Sequence, residues 1–159
     1  VGSMSKGYAL PGLRLGWIVG PADMIENIWR RHEYTTITAT MFSNMLASYA
    51  LSEEVRPRII QRTRDYIRNG FPVLESWMSS QDGLFTWTAP QASAVTFVRY
   101  NLDINSTDLM EILCREAKVF VGAGDSFGMD HHFRIAFGQE RSVLEEAFSR
   151  IQDTLEALK

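Results

Sequence analysis

Lys6, Arg14, Ser3 and Ser5 stand together in the short run "SMSKGYALPGLRLG", residues 3–16. A lysine amine attacks a carbonyl when its pKa is lowered or a cationic neighbour stands beside it. Arginine is a permanent cation whose planar fork fits a phosphate. Serine hydroxyls add donors beside the amine. Pro11-Gly12 is a turn pair, since proline presets φ at the first central position and glycine accepts positive φ at the second. That turn would bring Arg14 back toward Lys6. A phosphate-bearing aldehyde would use every part, with the aldehyde on Lys6 and the phosphate on Arg14 and Ser3. A flexible surface loop can carry the same residue types, and short clusters match by chance often. Residue types alone leave both readings open.

The elements that must position this run follow from periodicity. "RLGWIVG" (14–20) reads as a short buried strand between glycines. Gly20 and Pro21 then open a helix, with Asp23 in its first turn, where it suits the dipole. A second helix is expected over 41–52 and a third from about Glu53. Ile59, Ile60, Tyr66 and Ile67 give the third an apolar face, and Pro72 is expected to kink or break it. The pattern then changes. Residues 84–90 and 93–100 are rich in aromatic and β-branched side chains and read as strands. "NST" (105–107) caps a helix carrying Leu109, Ile112 and Leu113. Residues 118–124 and 132–138 read as two more strands. A last helix from about Glu140 lines up Leu144, Ala147, Phe148, Ile151, Leu155 and Leu158. The order is one strand, three helices and a ββαββα region, which suits a two-layer α+β unit. The boundary is expected between residues 60 and 72, along the long helix.

Composition narrows the function classes. The chain has 159 residues, 45% hydrophobic and 22% charged, the balance of a globular protein with a real core. A net charge of −3 argues against general binding to nucleic acid or an anionic membrane. No apolar run approaches the roughly 20 residues of a membrane span. Cys114 is the single cysteine, so an internal disulfide is excluded and a reducing, cytoplasmic setting is favoured. No metal site is expected: His131 and His132 are adjacent and point oppositely in a strand. His32 reads as a solvated helix residue. The seven methionines and four tryptophans read as core and interface filler.

The ordered string is more specific than its composition. "SMSKGYALPGLRLGW" closely resembles the lysine signature of the class I/II aminotransferases, within the pyridoxal-phosphate-dependent fold-type I superfamily. Ser3, Met4, Ser5, Lys6, Ala9, Leu10, Gly12, Arg14, Leu15 and Gly16 fill that pattern without a mismatch. The resemblance implies that Lys6 binds the aldehyde of pyridoxal 5'-phosphate covalently and later moves protons. It implies that Ser3, Ser5 and Arg14 bind the cofactor with it. "HFRIAFG" followed by "ERSVLEEAFSRI" is similar to the family's late hydrophobic-Arg-hydrophobic strand and last helix. Alone, Arg134 reads as an exposed strand arginine. The resemblance implies that it clamps the substrate carboxylate, which bidentate geometry suits. "PQASA" (90–94) departs from the family's glycine-rich P-x-G-G/A stretch.

By this resemblance the fold is α/β, the carboxy-terminal part of a fold-type I enzyme. Residues 1–60 are expected to be a remnant of the large cofactor-binding domain. Residues 61–159 are expected to be the connecting helix and the small α+β domain. The implied activity is amino transfer between an amino acid and a 2-oxo acid by a homodimer. A lyase or synthase of the same fold and a non-catalytic self-associating fragment are the alternatives. In the family, the aspartate on the cofactor ring nitrogen precedes the lysine. The resemblance therefore implies a piece of a longer enzyme, inactive when isolated.

Overall fold

The computed structural model describes residues 1–158 and divides into two compact units, residues 1–64 and residues 65 onward. In the first unit, β1 (Gly2–Ser3) and β2 (Gly16–Trp17) form an antiparallel ribbon, Gly2 opposite Trp17 and Ser3 opposite Gly16. The Trp17 indole lies across Gly2, where an added Cβ would come within 2.4 Å of Cε2. Helix α1 (Ala22–His32) follows Pro21, with Asp23 in its first turn and Arg30, Arg31 and His32 in its last, as the macrodipole favours. Helix α2 (Met41–Ala50) and the first part of α3 (Val55–Ser79) complete the unit. Its small core is Met4, Ala47 and Ala50, with Tyr8, Leu10, Leu13, Leu15 and Ile59 packed around them.

Three expectations need correction here. The strand at 14–20 shortens to Gly16–Trp17 and is exposed, with Val19 at 82%. Among the described residues it pairs only with the two-residue β1. His32 is half-buried rather than solvated: its ring stacks on Trp29 and meets the Thr36 hydroxyl at 2.9 Å. Helix α3 runs unbroken through Pro72. Val73, Leu74, Trp77 and Met78 beyond the proline are all buried. Burial of that face, about 1.5–3 kcal/mol per large side chain, offsets a helical hydrogen bond lost on the exposed side.

The second unit is a four-stranded antiparallel sheet in the order β3 (Phe85–Trp87), β4 (Val95–Tyr100), β6 (His132–Ala136), β5 (Gly122–Ala123). The expected strand at 118–124 shrinks to Gly122–Ala123. A π-helical turn over Leu113–Ala117 consumes the preceding residues, and Lys118 ends it at φ 57. Alternation sets two faces. Thr96, Val98, Tyr100, Phe133 and Ile135 are buried on one side. The C-terminal part of α3, α4 (Ser106–Ile112) and α5 (Arg141–Glu156) pack into the same core through Leu74, Trp77, Leu109, Phe148, Ile151 and Leu155. Trp77 and Phe148 stack at 4.6 Å. Phe97 and Arg134 stand on the other face, directly opposite one another in register.

Candidate functional site

The lysine loop is built around one buried side chain. Met4 is fully buried, its N–H donates to the Leu15 carbonyl at 3.0 Å, and its carbonyl accepts from Leu10 N–H at 2.9 Å. Those two bonds close residues 4–10 into a loop and lay Ser3 and Ser5 beside the Leu15–Gly16 end of the ribbon. Met4 points inward and Lys6, two residues on, is exposed. The Lys6 carbonyl accepts from Ala9 N–H at 2.9 Å, which tightens the turn after the lysine.

The turn chemistry differs from expectation. Gly12 does not take positive φ; Ala9 (φ 52) and Arg14 (φ 51) do. Pro11–Leu13 winds one 3-10 turn, so the left-handed position falls on the residue that ends it, Arg14. A left-handed non-glycine residue costs about 1–2 kcal/mol. The Pro11 carbonyl holds it there, accepting from Arg14 N–H at 3.3 Å and from Arg14 Nη1 at 3.1 Å. Backbone strain at a cationic residue is the kind of outlier that motivates a functional reading.

Among the described residues, neither Lys6 nor Arg14 pairs with a carboxylate. Ser3 Oγ accepts from Ser5 N–H at 3.0 Å, leaving its own hydroxyl hydrogen to donate. Two exposed cations and a hydroxyl with a hydrogen to donate are the donor types that an anion carrying an electrophile uses. These residues fit a phosphorylated aldehyde. Two further residues grip the loop: Arg56 Nε donates to the Tyr8 hydroxyl at 3.2 Å, and Arg62 Nη2 donates to the Tyr8 carbonyl at 3.3 Å. Sequence reasoning missed both, because partners 48 and 54 residues apart leave no local pattern.

Arg134 lies in the second unit, on the open face of the sheet. Its guanidinium sits 5.0 Å over the Phe127 ring. Its stem crosses Gly122, where an added Cβ would stand 3.3 Å from Arg134 Cβ and 3.5 Å from Nε. Among the described residues it has no ion-pair partner. At the departure in 90–94, Ser93 adopts φ 88, a conformation that favours glycine.

A model of the family described as "Aminotransferase class I and II" matches residues 1–151. The chain belongs to that family. Among its relatives, capreomycidine synthase of Streptomyces vinaceus is 32% identical over 97% of this chain and 39% of its own length. Aromatic-amino-acid aminotransferase 2 of Thermococcus litoralis is 27% identical over 98% of this chain and 40% of its own. The solved structure of a PLP-dependent aminotransferase from Streptococcus suis 89-1591 superposes with a TM-score of 0.91 at 25% identity, covering 99% of this chain and 41% of that one. The expected α/β fold is thus that of a class I and II aminotransferase, and this chain spans about two fifths of the length of the curated relatives it matches. No helix among the described residues is long and apolar enough to cross a membrane. No cluster of possible metal ligands occurs among them.

Proposed function

We propose that this chain supplies the cofactor lysine and the substrate arginine of a pyridoxal-phosphate-dependent aminotransferase. The whole protein would move an amino group between an amino acid and a 2-oxo acid, acting as a homodimer. The observation that carries the reading is the lysine loop, in which Lys6 and Arg14 are exposed without a carboxylate partner on a scaffold tied down by Met4. Residues 1–64 belong to the cofactor-binding domain in this reading, and residues 65 onward to the small domain. Arg14 and Ser3 hold the phosphate, and Ser5 orders Ser3 through its backbone N–H. Lys6 holds the cofactor and carries a proton on Nζ. Arg134 takes the substrate carboxylate on the edge of its guanidinium. Pyridoxal phosphate, when bound, supplies an electron sink for charge that develops on the substrate α-carbon.

A synthase or lyase is the second reading, favoured by one observation: the relative at 32% identity is named a capreomycidine synthase. Fold and signature do not fix the reaction.

Incubation of the chain with pyridoxal phosphate, borohydride reduction and peptide mass analysis tests the cofactor assignment. Lys6 is one of only three lysines, with Lys118 and Lys159, so the label is readily placed. We expect it on Lys6, lost in Lys6→Ala. Arg14→Gln should weaken pyridoxal phosphate about tenfold to hundredfold and leave phosphate-free pyridoxal unchanged, the size of a lost charge-assisted bond of about 1.5–3 kcal/mol. Label spread evenly over the lysines would overturn the assignment. Half-reactions of the complete protein with a panel of amino acids separate transfer from elimination.

A further inference from the structure

Arg134 does not stand on bare sheet; it stands in an aromatic corner. Phe127 meets Phe97 edge-on, with centroids 5.7 Å apart at 81°. Phe97 in turn stacks on His132 at 5.3 Å and 13°. The register places these groups on one grid. Phe97 is opposite Arg134, and Arg99 is opposite His132. The stacked Phe97–His132 pair therefore spans one diagonal of the grid, between the two arginines on the other. Arg99 lines a separate hollow with Asn101, Asp103 and His131. On β6 the same-face neighbours of Arg134 are His132 and Ala136, Gly122 and Phe97 flank it across the strands, and Arg99 is its diagonal neighbour on β4.

The geometry leaves Arg134 able to bind an anion while it is held. A guanidinium presents its flat face to an aromatic ring and its N–H edge to a carboxylate. The guanidinium carbon lies 5.0 Å over the Phe127 ring, and Arg134 has no ion-pair partner among the described residues. Half of Phe127 remains exposed beside it, at 51%. A ligand whose carboxylate meets Arg134 has the Phe127 and Phe97 rings beside it.

We propose that the open sheet face around Arg134 receives a monocarboxylate bearing an aromatic side chain, with Phe127 and Phe97 forming the ring-binding wall. Phe127 and Gly122 are positioning residues for Arg134, one holding its face and the other leaving room for its stem. The inference rests on the assignment of Arg134 to the substrate carboxylate. It adds the class of amino acid or 2-oxo acid, one with an aromatic side chain.

The test uses the full chain and the Nε–Hε resonances of its arginine side chains, titrated with acetate, succinate and 3-phenylpropanoate. We expect 3-phenylpropanoate to move the Arg134 resonance at about tenfold lower concentration than acetate or succinate, the scale of one good aromatic contact. Arg134→Gln removes one resonance from the spectrum and so assigns it to Arg134. Phe127→Ala should erase the preference and collapse the Arg134 resonance to the averaged arginine position. Phe127→Tyr should restore both, and Phe127→Leu, which keeps bulk without an aromatic face, should restore neither. Unchanged amide resonances on the helical side of the sheet would show that each variant is folded. If no carboxylate moves Arg134, its assignment to the substrate fails. If all three bind alike through Arg134, that assignment stands and the aromatic preference is overturned.

Discussion

Asp130 ties two segments of the second unit together with a single oxygen. Its Oδ1 accepts from Ser106 N–H at 2.7 Å, the Ser106 hydroxyl at 2.8 Å and His131 N–H at 2.7 Å. Ser106 is the buried first residue of α4, and His131 takes φ 56 just before β6. The carboxylate thus fixes the start of the helix and the entry to the strand that carries Arg134. These hydrogen bonds, led by the Ser106 N–H, hold the Asp130 carboxyl below its ordinary value of 3.8. A depressed acid stabilises the fold at pH values above its unfolded pKa, and that contribution is lost as pH falls through the folded value. The urea midpoint of the wild-type chain should therefore drop below about pH 4, and Asp130→Asn should flatten that part of the profile. An unchanged acid limb in the variant would assign the loss to other carboxylates. Tyr100 has the opposite sense. Burial, with Asp130 and Asp125 nearby, pushes its phenol up to about 12, so it stays protonated and donates to the Ile104 carbonyl at 2.8 Å.

At the level of elements, α3 shows what periodicity reveals and what it hides. Gly70 is buried in mid-helix, where an added Cβ would stand 1.9 Å from the Phe137 carbonyl oxygen and 2.9 Å from Leu144 Cδ1. Alanine there would gain about 0.5–1 kcal/mol of helix propensity and lose more to the clash. Gly70→Ala should destabilise the second unit by about 2 kcal/mol, read as a lower denaturant midpoint at unchanged slope. From the sequence alone, Pro72 reads as a kink or break; the contact that makes Gly70 necessary comes from a residue 67 positions away. Where the pattern was local it was legible. The α5 stripe of Leu144, Phe148, Ile151 and Leu155 is buried as its spacing requires, and Asn105 caps α4 through Asp108 N–H. The short strands were less legible, because β5 is cut down by a π-helical turn that no hydrophobic period announces. The same division holds at the site. Lys6 and Arg14 stand out by type with a surface loop as the open alternative, and Arg134 is singled out by the family resemblance. The Tyr8 clamp exists only once segments 48 and 54 residues apart are folded together, and the Phe127–Arg134 contact only once the chain turns back into β6.

At the scale of the molecule, the two units have separate cores of very different size. The second buries Leu74, Trp77, Val98, Phe133, Phe148 and many more around its sheet, whereas the first buries Met4, Ala47 and Ala50. The first also exposes Met41, Phe42, Met45, Leu46 and Tyr49 along α2, each above 50%. An apolar face of that kind contributes nothing to stability while it is wet. Separate cores joined by one helix need not melt together, since cooperativity follows shared burial. The four tryptophans fall two to a unit, Trp17 and Trp29 in the first, Trp77 and Trp87 in the second. Variants retaining only Trp29 or only Trp77, with the others replaced by phenylalanine, report each unit in isolation. We expect Trp29 to report unfolding at lower urea than Trp77. Met4→Ala removes the one fully buried side chain of the lysine loop, at a typical cost of about 2–5 kcal/mol. It should lower the Trp29 midpoint and leave the Trp77 midpoint in place. Phe133→Ala should do the reverse. Coincident midpoints that shift together in both variants would mean that α3 couples the units into one cooperative body. The lysine loop would then draw its stability from the sheet that carries Arg134, and a change at either place would be felt at both.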